Sequence, residues 1–368
     1  MRIQTNTNSS FPNQVVSEAE KSSLDYGIQV GRAIEGEWFQ EGRAGNRYVQ
    51  SYATFHRLRL YARGEQSVQK YKDELSINGD LSYLNLDWKP VAVISKFVDI
   101  VVNGMANKSY DISTFAQDPF SVKSRTDYAA AIEQDMNAKP MLENIKQELG
   151  MDMARTGNLE DLPESKEELD IHMQMTYKQN VEIAEEEVIN NVLAFNKYDQ
   201  TKARVAYDLA VLGIGAVKTR FDLSEGIKID YVDPARIVYS YTEDPNFEDI
   251  YYVGEVKAIS IPELKKQFPD IPDEELQRIQ NMPGNSQYVT GWANYDKNTV
   301  QVMYFEYKTY VDQVFKIKKT DQGLEKTLEK PDTFNPPEND NFERVSRSIE
   351  VLYTGAKVLG NNYMLEWK

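Results

Sequence analysis

The sequence predicts an α+β chain, with a helical N-terminal half followed by antiparallel β-hairpins. Three observations carry this reading. Apolar residues recur at helical spacing in several stretches up to Leu212. Beyond Gly213 they alternate with polar residues, as in half-buried strands. The dipeptides Asp233-Pro234 and Asp244-Pro245 then cut the chain at strand length. Helices first and strands afterwards argue against a TIM barrel or a doubly wound sheet.

With 368 residues the chain has room for two or three cores, at about 100–200 residues per domain. An apolar share of 41% and a charged share of 27% exclude wholesale disorder. Lys and Arg number 42 against 58 Asp and Glu, a net charge of −16. A surface this negative argues against non-specific binding to phosphate backbones or anionic membranes. Cysteine is absent, which removes disulfides, zinc–thiolate sites, iron–sulfur clusters and thiol nucleophiles. The only histidines are His56 and His172, too few for a three-histidine metal site.

Residues 1–20 are polar and hold no apolar core, so they do not read as a signal peptide. The most apolar run, Val91–Val102, is broken by Lys96 and Asp99. It is shorter than the about 20 residues that span a bilayer. The expectation is a soluble chain suited to a reducing compartment, with no membrane partner.

Residues 1–22, rich in Asn, Ser, Thr and Gln, read as a flexible arm. Leu24–Gly45 carries five glycines around Trp38 and Phe39 and reads as a surface loop with a docked aromatic pair. Asn46–Arg63 reads as a helix, with Tyr48, Tyr52, Phe55 and Leu58 on one face. Residues 40–72 hold seven Lys/Arg against two Asp/Glu, a balance of +5 in an acidic chain. Arg57, Arg59 and Arg63 are therefore candidates for contact with a neighbouring subunit or with DNA. The commoner use of such residues is a solvated face paired to nearby acids.

Ser82–Lys89 is a loop, and Pro90 suits a helix start. Ile94, Phe97, Val98, Val101 and Met105 then form an expected core stripe, closed by Asn103-Gly104. Thr126–Leu149 is a helical stretch broken at Pro140, and Glu164–Lys197 a long helix or a helix pair. Val181, Ala184, Val188, Val192 and Phe195 form its apolar stripe. Residues 160–187 hold ten Asp/Glu against Lys166 and Lys178. Within them Glu182, Glu185 and Glu186 are candidates for an acidic channel or interface face, with a solvated face as the default.

Asp199–Leu212 is a further helix. Gly213 and Gly215 turn the chain into a hairpin whose strands carry Val217, Thr219 and Phe221, then Ile227, Ile229 and Tyr231. Asp233 and Pro234 form a structural turn. Arg236–Tyr241 and Ile250–Val256 are extended, and Ile261–Ile279 is a helical insert. Thr299–Val311 and Val314–Lys319 form an expected second hairpin about Asp312-Gln313. The expected organisation is an arm at 1–22, a mainly helical part at 23–198, a helix with antiparallel strands at 199–319, a linker at 320–347 and the start of a further β segment at 348–368, with the polypeptide continuing beyond.

An enzyme built from this chain would rely on carboxylates, as a glycan hydrolase does. No pair of acids is singled out, and the acids of Asp244–Asp249 lack the EF-hand frame. No catalytic, cofactor-binding or metal-binding residue is assigned. The 23 tyrosines suit an assembly surface, because Tyr joins an apolar body to a polar tip.

Several features now line up in one order: Leu60-Tyr61-Ala62-Arg63-Gly64-Glu65-Gln66, Trp88-Lys89-Pro90 leading into an apolar helix, a long acidic helix, Tyr207–Val217 running through two glycines into a strand, then Ile229-Asp230-Tyr231-Val232-Asp233-Pro234 and Tyr251-Tyr252-Val253. Over residues 40–260 the chain resembles the portal proteins of tailed bacteriophages, and looks most like those of crAss-like phages. It is similar mainly to the portal wing; no stem pair or clip is placed. The resemblance implies a homo-oligomeric ring of twelve subunits at one capsid vertex, with double-stranded DNA passing through its axis. It also implies the major capsid protein, the terminase and head–tail adaptor proteins as partners, no cofactor, and a place in the virion after assembly in the host cytoplasm. Another virion assembly protein, such as a head–tail adaptor, is the alternative.

Overall fold

The computed structural model describes residues 10–39, 46–77, 79–81, 83, 85–108, 110–150, 153–154, 161–175, 177–222, 225–281, 299–319, 325–335 and 342–368. The first half is helical: α1 (Glu18–Lys21), α2 (Leu24–Phe39), α3 (Arg47–Arg63), α4 (Gln69–Leu75), α5 (Val93–Ala106), α6 (Pro119–Asn137), α7 (Lys139–Leu149), α8 (Lys166–Met175), α9 (Asn180–Phe195) and α10 (Tyr198–Leu212). Strands β1 (Ala216–Asp222) and β2 (Gly226–Val232) follow, then β3 (Ile237–Tyr239), β4 (Tyr252–Ser260), α11 (Ile261–Gln267) and α12 (Asp273–Gln280). The chain goes on through β5 (Thr299–Lys319), β6 (Glu325–Lys330), β7 (Phe342–Val358) and β8 (Met364–Trp367). This is the α+β order read from the sequence.

The chain divides into two compact units, each assembled from separated segments. One comprises Met1–Val102, Val205–Val217 and Tyr231–Lys368; the other comprises Asn103–Arg204 and Lys218–Asp230.

The first unit is built on an antiparallel sheet of order β3-β4-β5-β7-β8, with β6 also paired to β5. Side chains alternate across a strand, and β5 shows the consequence. Its residues Met303, Phe305 and Tyr307 join Val30, Ile34 and Trp38 of α2 in one core. Its residues Val300 and Val302 join Leu264 of α11 and Leu276 and Ile279 of α12 in another. Helices therefore cover both sheet faces over the first third of β5. Beyond Val311 the covering thins: Val314 is still buried, while Arg344–Ser348 on the paired strand β7 are all exposed.

The region from Leu24 to Phe39 is helix, not the expected loop; Gly42 and Gly45 lie outside the described residues. Glycine lowers helix propensity by about 1 kcal/mol against alanine, which is why the segment reads as loop. Packing overrides that cost here. A Cβ on Gly27 would stand 2.5 Å from Trp367, and one on Gly31 would stand 2.6 Å from Lys357. These two glycines let α2 lie close against β7 and β8.

Two further expectations are overturned. Asp312-Gln313 is no turn: β5 runs straight through it, with Asp312 opposite Ser348 and Gln313 opposite Arg347 in an unbroken register with β7. Asp-Gln lacks the residue pair that tolerates the positive φ of a tight hairpin. The expected linker at 320–347 contains β6 and the start of β7.

The described part of the arm is docked. Phe11 stacks on Tyr307, with ring centroids 6.0 Å apart and planes at 2°. Gln14 Nε2 donates to the Tyr307 hydroxyl at 3.0 Å. Lys21 is buried and donates to the Tyr310 carbonyl. Trp367 Nε1 donates to the Lys21 carbonyl at 2.8 Å.

The second unit has a small core of Ile132, Ala154, Leu162 and Leu169. Asp118 caps α6 by accepting from Ser121 N–H. Pro140 sits in the first turn of α7, where its missing N–H costs nothing. Asn196 holds β2 at both edges of its amide: Oδ1 accepts from Ile229 N–H at 3.1 Å and Nδ2 donates to the Ile227 carbonyl at 2.9 Å.

Candidate assembly surfaces

Helix α5 has nine apolar residues among fourteen, and none of its residues is buried. The stripe expected to be core faces solvent: Phe97 is 64% exposed, and Ile94 and Val101 are also exposed. Beside Phe97 on the same face, Ile100 is 69% exposed. Ser95, Lys96, Asp99 and Asn103 gather on one side of α5 and its apolar residues on the rest; an exposed apolar patch of this kind marks an interaction surface. The apolar stripe of α9 is open as well, with Val181, Val188 and Phe195 exposed. No described helix is long and apolar enough to cross a membrane.

The three candidate arginines of α3 part company. Arg57 and Arg63 are exposed and carry no ion pair among the described residues. Arg59 is turned into the first unit. Its Nη2 stands 2.9 Å from Asp208 Oδ1 and 2.7 Å from Asp233 Oδ1, and its Nη1 donates to Asp233 Oδ2 at 3.1 Å. Tyr231 donates its hydroxyl to Asp208 as well. Arg59 is thus committed within the chain and is corrected as an intersubunit or DNA contact. Burial works against its charge, and the hydrogen bonds to Asp233 and Asp208 overcome it and hold the guanidinium above its ordinary pKa. Burial likewise opposes the Asp233 charge, but hydrogen bonds from Arg59 and from Ala235 N–H hold that carboxyl below the usual range. Asp233 also caps the short 3-10 turn Pro234–Arg236. Burial, then the hydrogen bond to Asp208, pushes the Tyr231 hydroxyl up.

Of the three candidate acids, Glu182 and Glu186 are taken up within the chain. Glu182 is buried and forms a capping box: its Oε2 accepts from Gln179 N–H at 2.8 Å. Its Oε1 accepts from Ala116 N–H at 2.9 Å. Glu186 takes the Lys178 ammonium at 2.7 Å and Thr114 N–H at 3.1 Å. Lys178 first, and the Thr114 bond with it, hold the Glu186 carboxyl below its ordinary value. Only Glu185 of the three is exposed.

Gly213 closes α10 with φ of +80°, in open space. Gly215 lies close under the same helix: a Cβ there would stand 2.8 Å from Val205 Cγ1 and 3.1 Å from Leu209 Cγ.

One basic surface went unread in the sequence. Beyond Val311 the strands β6, β5 and β7 form an open ribbon, and register decides which side chains share a face. Lys316 and Lys318 share one with Lys330 of β6 and Arg344 of β7. The only sequence signal was the alternation Lys316-Ile317-Lys318, and the register partners of Lys316 lie 12 residues away on β6 and 28 on β7. Among the described residues, no three His, Asp or Glu side chains are grouped to hold a metal ion.

Residues 182–363 match the family model of the phage P22-like portal protein. The match runs from α9 through the hairpin and the sheet to the loop after β7. It overlaps the portal resemblance seen in the sequence over residues 182–260 and supports a phage portal protein. No curated protein matches this chain.

Proposed function

We propose that this chain is a subunit of a phage portal, the ring at one capsid vertex through which genomic DNA is packaged and ejected. The observation that carries the reading is the portal-family match over residues 182–363. The exposed apolar helix α5 supports it, because such a surface suits a protein partner, and none of the described helices is long and apolar enough to cross a membrane. The net charge of −16 suits a conduit, since an acidic protein repels phosphate and lets DNA slide.

In this reading twelve copies close the ring, as in the crAss-like portals the sequence resembles. The major capsid protein surrounds the ring, the terminase feeds it in the host cytoplasm, and head–tail adaptors cap it in the virion. The role is structural, not enzymatic.

Negative-stain electron microscopy of the complete gene product tests this. Twelvefold rings with an axial hole wide enough for duplex DNA are the expected result. Folded, monodisperse monomers at high concentration would overturn it.

A further inference from the structure

Two observations set the outer ribbon apart from the rest of the molecule. The first is its lack of cover. From Arg344 to Ser348 β7 is exposed, Lys318 of β5 is exposed, and Leu328 of β6 is 57% exposed. A three-stranded ribbon needs an apolar face or a helix against it to be stable in water. This one keeps Val314 buried at its base, and beyond it none of the described residues of β5 or of the paired start of β7 is buried.

The second is the sorting of charge between its faces. One face carries Lys316, Lys318, Lys330 and Arg344, and no carboxylate stands in those rows. The other face carries Glu329 opposite Phe315 and Glu343 opposite Ile317.

The lysines converge despite their like charge. Lys316 Nζ lies 3.7 Å from the Phe342 ring centre and 5.7 Å from that of Phe334. Lys318 Nζ lies 6.0 Å from Phe342, and Lys330 Nζ 5.9 Å from Phe334. Among the described residues, none of these lysines nor Arg344 has an ion pair. Arg344 donates to the Asp332 carbonyl at 3.0 Å, while the Asp332 carboxylate is taken by Glu18 N–H at 2.7 Å. Aromatic faces offset only part of such a cost. The ribbon face is a cationic surface waiting for an anionic one.

The chain itself supplies the complement. Residues 160–187 are its densest acidic stretch, with ten Asp/Glu against two lysines. Some of those acids are used internally, by Lys178 and by the capping box. Glu167 and Asp170 on α8 and Glu185 and Glu187 on α9 are exposed, with no ion pair among the described residues.

We propose that the cationic face of the β6–β5–β7 ribbon docks on the acidic α8–α9 surface of a second copy of this chain. The two surfaces differ and every copy offers both halves, so the contact can repeat head-to-tail from copy to copy. Repetition of such a contact closes a ring when the rotation allows it. The inference rests on the portal reading for the closed ring, and it names the surfaces that hold neighbours together. Opposed charges fix register and partner choice and weaken with salt.

The test uses the full-length chain and native mass spectrometry with light scattering. One variant carries Lys316→Glu, Lys318→Glu and Lys330→Glu; the other carries Glu167→Lys, Glu185→Lys and Glu187→Lys. All these side chains are half-buried or exposed, and circular dichroism checks that each variant is folded. Each variant alone is expected to need about tenfold more protein, or higher, to assemble. Their equimolar mixture restores assembly, because each contact then pairs opposite signs. Rings formed by either variant as readily as by the wild type would overturn the inference and leave the portal reading intact. So would a folded mixture that fails to recover, or duplex DNA captured through the lysines with assembly unchanged. A wild-type chain that stays monomeric would overturn the portal reading, and the inference with it.

Discussion

Arg59 and Asp208 lie 149 residues apart in sequence and 2.9 Å apart in space. Asp208 is buried and Arg59 is mostly so, with side-chain exposures of 3% and 19%. The pair ties α3 to α10, and Asp233 on the same guanidinium adds the turn after β2. Removing one partner of a buried pair strands the other charge. Arg59→Met is expected to lower stability by about 3 kcal/mol, read from urea unfolding of the full chain. A loss near zero would show that the carboxylates find other partners.

The same cluster sets an acid limit. Asp233 titrates below its unfolded value of about 4. The folded state therefore binds fewer protons, and the contribution is whole above that value and lost as pH falls through the folded pKa. The melting temperature of Asp233→Asn should lie below that of the wild type at neutral pH, and the gap should narrow below about pH 4. Asparagine still caps a turn, so the gap reports the charge. A gap independent of pH would refute this.

Gly213 and Gly215 fail for different reasons when replaced. Gly213→Ala forces a side chain into a left-handed conformation at φ +80°, at a cost of about 1–3 kcal/mol. Gly215→Val drives a larger side chain against Val205 and Leu209, at about 1–3 kcal/mol of overpacking. Thermal unfolding measures both. Equal stability in the double variant would contradict the two accounts together.

Glu182 and Glu185 are three residues apart and should behave as opposites. Glu182→Ala leaves the N–H groups of Ala116 and Gln179 without their acceptor, at about 1–3 kcal/mol. Glu185→Ala removes an exposed side chain and should stay within about 0.5 kcal/mol. Chemical denaturation of the two single variants decides it.

Phe97 and Ile100 on α5 test the apolar surface. Phe97→Ser with Ile100→Ser should leave the melting temperature of the monomer nearly unchanged, because both side chains are exposed. The same double variant should lose assembly in sedimentation. A destabilised monomer with normal assembly would mean that α5 is covered within its own chain.

The sequence made the α+β class and most helix positions legible through periodicity and caps, with Asn46 before α3 and Gly213 after α10 as instances. It misled wherever long-range packing decides. Glycines made α2 look like a loop, because the partners that require them, Trp367 and Lys357, are more than 300 residues away. Phe97 on α5 sits in a pattern that periodicity reads as core, since period marks an apolar surface and not what covers it. Arg59 and Glu182 were grouped by charge, while Asp208 and Ala116 decide their roles. The ribbon lysines needed a register that no local pattern supplies.

Trp367 and Lys21, joined by a hydrogen bond, also set a timetable for synthesis. At 5–20 residues per second, the ribosome adds the intervening chain in some tens of seconds. During that interval α2 has emerged but the strands it packs on have not. Its apolar face, with Val30, Ile34 and Trp38, must wait. Chaperone binding to nascent chains should therefore persist until β8 leaves the exit tunnel, and neighbouring nascent chains on one message should not join before then.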